Sequence, residues 1–215
     1  MLHAQLSPSG SKRWLACPGS VRLSEGLTRE SNAAAERGTE EHERAAAILN
    51  GALLECSEDV VDYVTVVRNA MSQRGAVAMI EQRVALNEHI FGTADALIFH
   101  KRTLSVFDLK TGRTPVDAMG NTQLMIYAAA ALRTFPDMAK KVRQIELCIV
   151  QPHAHGVQRV FLQRSHLDAQ IAGIMMMASR ALTDDAPLIA GDHCLFCPAA
   201  STCPVRKNEI VQSAK

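Results

Sequence analysis

The sequence predicts a mixed α/β fold of the α+β kind, in the order helices, three strands, helix, two strands, helix. An apolar stripe at helical spacing, Val60, Tyr63, Val64 and Val67, marks the first third of the chain as helical. From Ala76 onward short β-prone runs separated by turn-like residues take over. The chain has 215 residues, 47% apolar and 21% charged, enough to bury one core and unlike a disordered or fibrous chain. One domain over residues 1–215 is expected, with its core at about 32–183.

Ser7-Pro8 begins a first helix, with serine as cap and proline in the first turn, and Cys17-Pro18-Gly19 stops it. Asn32 to Asn50 reads as a helix closed by Gly51, and Ser57 to Gln73 as another. Strands follow at Val77 to Leu86, Phe91 to Phe99 and Thr103 to Leu109, read as consecutive and antiparallel. Val116 to Thr134 returns to helical composition. Val142 to Gln151 and Val157 to Gln163 are two more strands around Pro152-His-Ala-His-Gly156, and a helix from about Ser165 to Leu182 leads into a cysteine-rich segment after Pro187.

Lys and Arg number 23 against 22 Asp and Glu, a net charge of +1, so any binding to nucleic acid must use a local patch. No stretch approaches the ~18–20 apolar residues of a membrane span, and the start lacks a basic segment followed by an apolar run. The expectation is a cytoplasmic protein with no membrane partner. There, clustered thiols are metal ligands or redox centres more often than disulfides.

If Phe91 to Leu109 is a hairpin turning at Lys101-Arg102, residues whose numbers sum to about 203 lie opposite one another, and Asp95 faces Asp108. Both carboxylates then share a face with Leu97, Phe99, Leu104 and Val106, and Lys110, two residues on, joins them. Two covered carboxylates repel, and a hard divalent cation such as Mg²⁺ or Mn²⁺ would compensate them. A surface ion pair between Asp108 and Lys110 is the alternative.

Gly92-Thr-Ala-Asp95 followed by Asp108-Leu-Lys110 resembles the paired signature of the PD-(D/E)XK nuclease superfamily. Gly38-Thr-Glu-Glu-His42 resembles the upstream histidine motif of its RecB-type members, and Gln123-Leu-Met-Ile-Tyr127 their Q-x-x-x-Y motif. Cys17, with Cys194-x2-Cys197-x5-Cys203, resembles the cysteine set of the iron-sulfur subgroup, which includes the CRISPR-adaptation exonucleases. The opening Leu6-Ser-Pro-Ser and Arg13-Trp14-Leu-x-Cys-Pro-Gly-Ser also resemble a phage- and prophage-encoded branch known only as a domain of unknown function.

The resemblance implies a restriction-endonuclease-like αβββαβ core with N-terminal helices and a C-terminal cysteine-rich cluster segment. It implies that His42, Asp95, Asp108 and the backbone carbonyl of Leu109 hold Mn²⁺ or Mg²⁺, and that Lys110 orients the attacking water. Gln123 and Tyr127, four apart on one helical face, would contact the DNA strand or the groups around the metal, with helix packing the competing role for Tyr127. His42, among Glu36, Glu40, Glu41 and Glu43, could equally lie on a solvated face. Glu81 is either a further acid beside the site or a surface strand residue.

Cys194-x2-Cys197 puts two thiolates on one turn and Cys203 can return to the same centre, a pattern that suits zinc or an iron-sulfur cluster. The resemblance favours 4Fe-4S with Cys17 as fourth ligand, closing a loop worth on the order of 5 kcal/mol by loop entropy. Cys148 reads as a buried apolar residue, while His153, His155 and His193 read as solvated loop residues. The expected function is a metal-dependent DNA exonuclease acting on single strands or duplex ends in phage or bacterial DNA processing or recombination. Local cations, Arg113, Lys140, Lys141 and Arg143, are candidates to grip phosphates. A single-strand-annealing or recombination protein and a second copy of the chain are the partners considered. The alternative is a catalytically silent DNA-binding accessory protein on the same fold.

Overall fold

The computed structural model describes residues 4–27 and 33–206. Ser7 Oγ accepts the Gly10 N–H at 3.2 Å and caps a 3-10 turn, Pro8–Gly10, that runs directly into α1, Ser11–Ala16. Trp14 is fully buried and its indole N–H donates to the Ser7 carbonyl at 2.9 Å, tying the entry of the chain to the core. After α2, Ser20–Leu23, the helix α3 spans Ala33–Leu49 and ends before Gly51, whose φ of +97° suits glycine. Asn32, the expected start of that helix, lies outside the described residues. Helix α4, Glu58–Met71, buries the anticipated face of Val60, Tyr63, Val64 and Val67.

The strands β1, Val77–Ala85, β2, Phe91–His100, β3, Thr103–Leu109, β4, Gln144–Gln151, and β5, Gly156–Gln163, form one sheet in the order β1-β2-β3-β4-β5. All neighbours are antiparallel except β3 and β4, which run parallel and are joined through α5, Thr122–Thr134, and the short α6, Pro136–Ala139. Helix α7, Arg164–Ala181, follows β5. One apolar cluster joins α5, α7, Leu6 and Trp14 to one face of the sheet, and a second joins α3 and α4 to the other. Helices thus cover both faces, as a sheet with two apolar faces requires.

The helix expected from Val116 begins only at Thr122. Its N-cap is Asn121, whose Oδ1 accepts the Leu124 N–H at 3.1 Å. The residues before it are drawn out of a helix because the Gln151 and Gln158 side chains accept the N–H groups of Val116 and Ala118 at 3.0 and 3.3 Å. At the other end of the chain, Gly19 N–H donates to the Pro187 carbonyl at 2.8 Å and Ile189 N–H to Cys17 Sγ at 3.3 Å. These bonds dock the Cys17-Pro18-Gly19 turn on the segment that leads into the 3-10 turn Asp192–Phe196.

Candidate functional site

The β2–β3 register follows the expected sum of 203, from His100 opposite Thr103 to Ala96 opposite Phe107, and stops there. On the other side, β1 and β2 pair Ile80 with Ala96 and Gln82 with Ala94, skipping Glu81 and Asp95. Both ladders therefore break at Asp95, and Glu81, opposite it, adopts a φ of +50°, uncommon for a residue with a side chain. Across the break the strands exchange faces: Met79 and Val84, and likewise Ala94 and Leu97, all join the α5 cluster although their spacing is odd.

The break corrects the expectation that Asp95 and Asp108 share one face with Leu97 and Leu104. Asp95 turns toward α3, where its Oδ2 lies 3.3 Å from His42 Nδ1 and accepts the Leu109 N–H at 2.9 Å. A side-chain oxygen thus takes the place of the missing ladder acceptor. Ligand atoms of His42, Glu81 and Asp95 all lie within 4.8 Å of one another. Leu109 lines the same pocket.

Asp108 remains on the α5 side, only 3% exposed at its side chain, within a closed triangle. Lys110 Nζ lies 2.9 Å from Asp108 Oδ2 and donates to Gln123 Oε1 at 3.1 Å, while Gln123 Nε2 donates to Asp108 Oδ1 at 2.7 Å. The Lys110 contact is a charge contact off the hydrogen-bonding direction, so buried Oδ2 keeps no aligned donor. Tyr127, one turn along α5 from Gln123, is 6% exposed. A Cβ at Gly92 would come within 3.2 Å of both Tyr127 and Pro8, so this glycine lets β2 approach α5 and the N-terminal turn.

Burial, and after it the charge of Asp95, shifts the acids upward. Partial burial and then the Asp95 carboxylate push Glu81 from its ordinary 4.5 to about 7, although the residue as a whole is exposed. Burial likewise raises Asp108, opposed by Lys110 and reinforced by Asp95. For His42 burial acts downward, but the Asp95 contact outweighs it with help from the charges of Asp95 and Asp108, leaving the imidazole above its ordinary value.

The donor set fits a hard divalent cation. Octahedral ligands around Mg²⁺ at about 2.1 Å lie ~3.0 Å apart when cis and ~4.2 Å when trans, so a group within 4.8 Å would contract onto an ion. The sequence left Glu81 divided between two roles; the structure brings it into the site. Its only sequence signal is the odd spacing of Met79 and Val84 around it. An open groove lined by Ser11, Lys12, Asn121 and Thr122 leads to Lys110 and Gln123.

Of the four cations considered for phosphate contact, Arg113 alone belongs to the loop that follows Lys110. Lys140, Lys141 and Arg143 precede Gln144, which pairs with Thr103 at the far end of β3, about 17 Å of strand from Asp108. Lys140 pairs with Asp137, and Arg143 donates to the carbonyls of Lys140 and Val142. Cys17 and Cys203 are buried and Cys194 and Cys197 half-buried, all as free thiols. Ser24 Oγ lies 3.8 Å from Cys197 Sγ. Among the described residues no three of these sulfurs form a group within 4.8 Å. His153 pairs with Asp59, His155 with Asp117 at 3.6 Å, and His193 bonds the Ile189 carbonyl. No described helix is long and apolar enough to cross a membrane.

Among the solved structures that resemble this chain, two do so at low identity. The crystal structure of SSO0001 is 16% identical, with a TM-score of 0.40 over 96% of this chain and 89% of the other. That of a phage related exonuclease from Haemophilus somnus 129PT is 14% identical, with a TM-score of 0.27 over 77% of this chain and 92% of the other. A family model described as protein of unknown function (DUF2800) matches residues 3–59 and 48–215, nearly the whole length. The chain belongs to the DUF2800 family.

Proposed function

We propose that this protein is a metal-dependent DNA exonuclease that hydrolyses phosphodiester bonds, acting on single strands or duplex ends in phage or bacterial DNA processing. The observation that carries this reading is the double ladder break at Asp95. It leaves ligand atoms of His42, Glu81 and Asp95 within 4.8 Å of one another, near the Asp108–Lys110–Gln123 triangle, which supports a shared cation there. A structural sheet has no reason to hold a histidine and several acids together in a partly covered pocket.

His42, Asp95, Asp108 and the Leu109 carbonyl, joined by Glu81, would hold Mn²⁺ or Mg²⁺. When bound, such a cation polarises the scissile phosphate and lowers the pKa of a water. Gln123 fixes the Lys110 ammonium by accepting from it and fixes Asp108 by donating to it, so the lysine charge would be preorganised for the negative charge that grows on the phosphoryl oxygens. Tyr127, one turn along α5, hydrogen-bonds the Gln123 side chain and would help hold it in place. The groove bearing Lys12 is the local cationic approach that a chain of net charge +1 requires for a DNA strand. Cys17, Cys194, Cys197 and Cys203 would hold a 4Fe-4S cluster that clamps the ends of the chain; the Ile189 N–H already directed at Cys17 Sγ suits a thiolate ligand.

The test is anaerobic purification followed by a Mn²⁺ assay on end-labelled single- and double-stranded DNA. Wild type should release nucleotides from ends, and Lys110→Ala should lower the rate by ~10²–10³-fold. Equal rates in the two proteins would contradict the assignment.

A further inference from the structure

The acid pocket holds one polar group that the proposed chemistry leaves unused. Tyr63, on α4, is 2% exposed, and its hydroxyl is buried with no hydrogen-bond partner among the described residues. It lines the same pocket as His42, Glu81 and Asp95. Its neighbours on the helix, Val60, Val64 and Val67, are plain core residues, a face on which phenylalanine would pack equally well. An orphaned buried hydroxyl costs ~1–3 kcal/mol relative to one that is bonded, so the metal-free fold gains nothing from the oxygen.

A phenol O–H is a donor, and the charged groups acting on it most strongly, Asp95, Asp108 and Glu81, are all acceptors. Carboxylates drawn onto a cation turn one oxygen toward the ion and leave the other for an outer partner. We propose that Tyr63 is a positioning residue of the cation site, its hydroxyl donating to the Glu81–Asp95 carboxylate pair and holding it in the arrangement that receives the ion. This rests on the reading of the pocket as a divalent-cation site.

The experiment compares wild type and Tyr63→Phe by Mn²⁺ titration, read from the electron-paramagnetic signal of free Mn²⁺, alongside thermal unfolding in chelator. Tyr63→Phe should unfold in chelator at the wild-type temperature or above it, yet bind Mn²⁺ ~10-fold more weakly, the usual cost of losing a partner that orients a ligand. Unchanged affinity in the variant, with wild type binding normally, would overturn the role of Tyr63 alone. Failure of wild type to bind Mn²⁺ would overturn the cation site with it. A Tyr63→Phe protein that does not fold would also overturn the proposal, since the hydroxyl would then serve the fold.

Discussion

Asp95 and Asp108 are carried by neighbouring strands of a five-stranded sheet, whereas Cys17, Cys194, Cys197 and Cys203 sit in or beside short helices and turns. The acids are brought together by backbone: interrupted ladders, a helix on each face, and two apolar clusters that hold α3 and α5 in place. The cysteine segment is held by local docking, of Gly19 and Cys17 on residues 187–189 and of Ser24, whose Oγ lies 3.8 Å from Cys197 Sγ. The acid groups are therefore brought together by the fold itself, and the cost is burial, with repulsion after it, that appears as raised acid pKa values. In the proposed holoprotein the cysteine segment takes its tightness from its cluster.

The largest effect should follow from breaking the second region. Cys17→Ala or Cys197→Ala should cost the visible absorption of the cluster and most of the soluble yield, because a closure worth on the order of 5 kcal/mol is lost. Well-folded, active protein from either variant would show that the acid site and the sheet stand without the clamp.

A smaller effect sharpens the first region. Glu81, Asp108 and His42 all hold protons more tightly in the folded chain than in the unfolded one. Each therefore contributes stability in full below its ordinary pKa and loses it as pH rises through the folded value; for Glu81 that window runs from 4.5 to about 7. In chelator the unfolding temperature should fall as pH is raised across this window, by ~2–4 °C for each kcal/mol lost. Glu81→Gln should flatten the fall, and Mn²⁺ should stabilise more at pH 7.5 than at pH 5. A metal-free protein whose stability rises with pH between 5 and 7 would argue that other carboxylates dominate the acid limb.

Most of the fold was legible because it is local. The β2–β3 register followed from alternation and a two-residue turn, and the α4 core face from its spacing. What escaped was long-range. The tethers that keep Val116 and Ala118 out of the helix come from residues 35 and 40 positions away. The face of Asp95 depended on a break at Glu81, which no glycine or proline announces; only the shift from Met79 to Val84 records it. The separation of Lys140, Lys141 and Arg143 from the site follows from the parallel pairing of β3 and β4, a topological fact that their charges could not reveal. Of the recognition, the family match supports membership of a family of unknown function.

The central claim is that the broken ladders at Asp95 make one cation site. Mn²⁺ titration of wild type, Asp95→Asn and Asp59→Asn at pH 7.5 tests it most directly, since Asp59 pairs with His153 outside the pocket. The account predicts a single saturable Mn²⁺ in wild type and in Asp59→Asn, and none in Asp95→Asn. Saturable binding that survives Asp95→Asn unchanged, or no saturable binding in wild type, would contradict it.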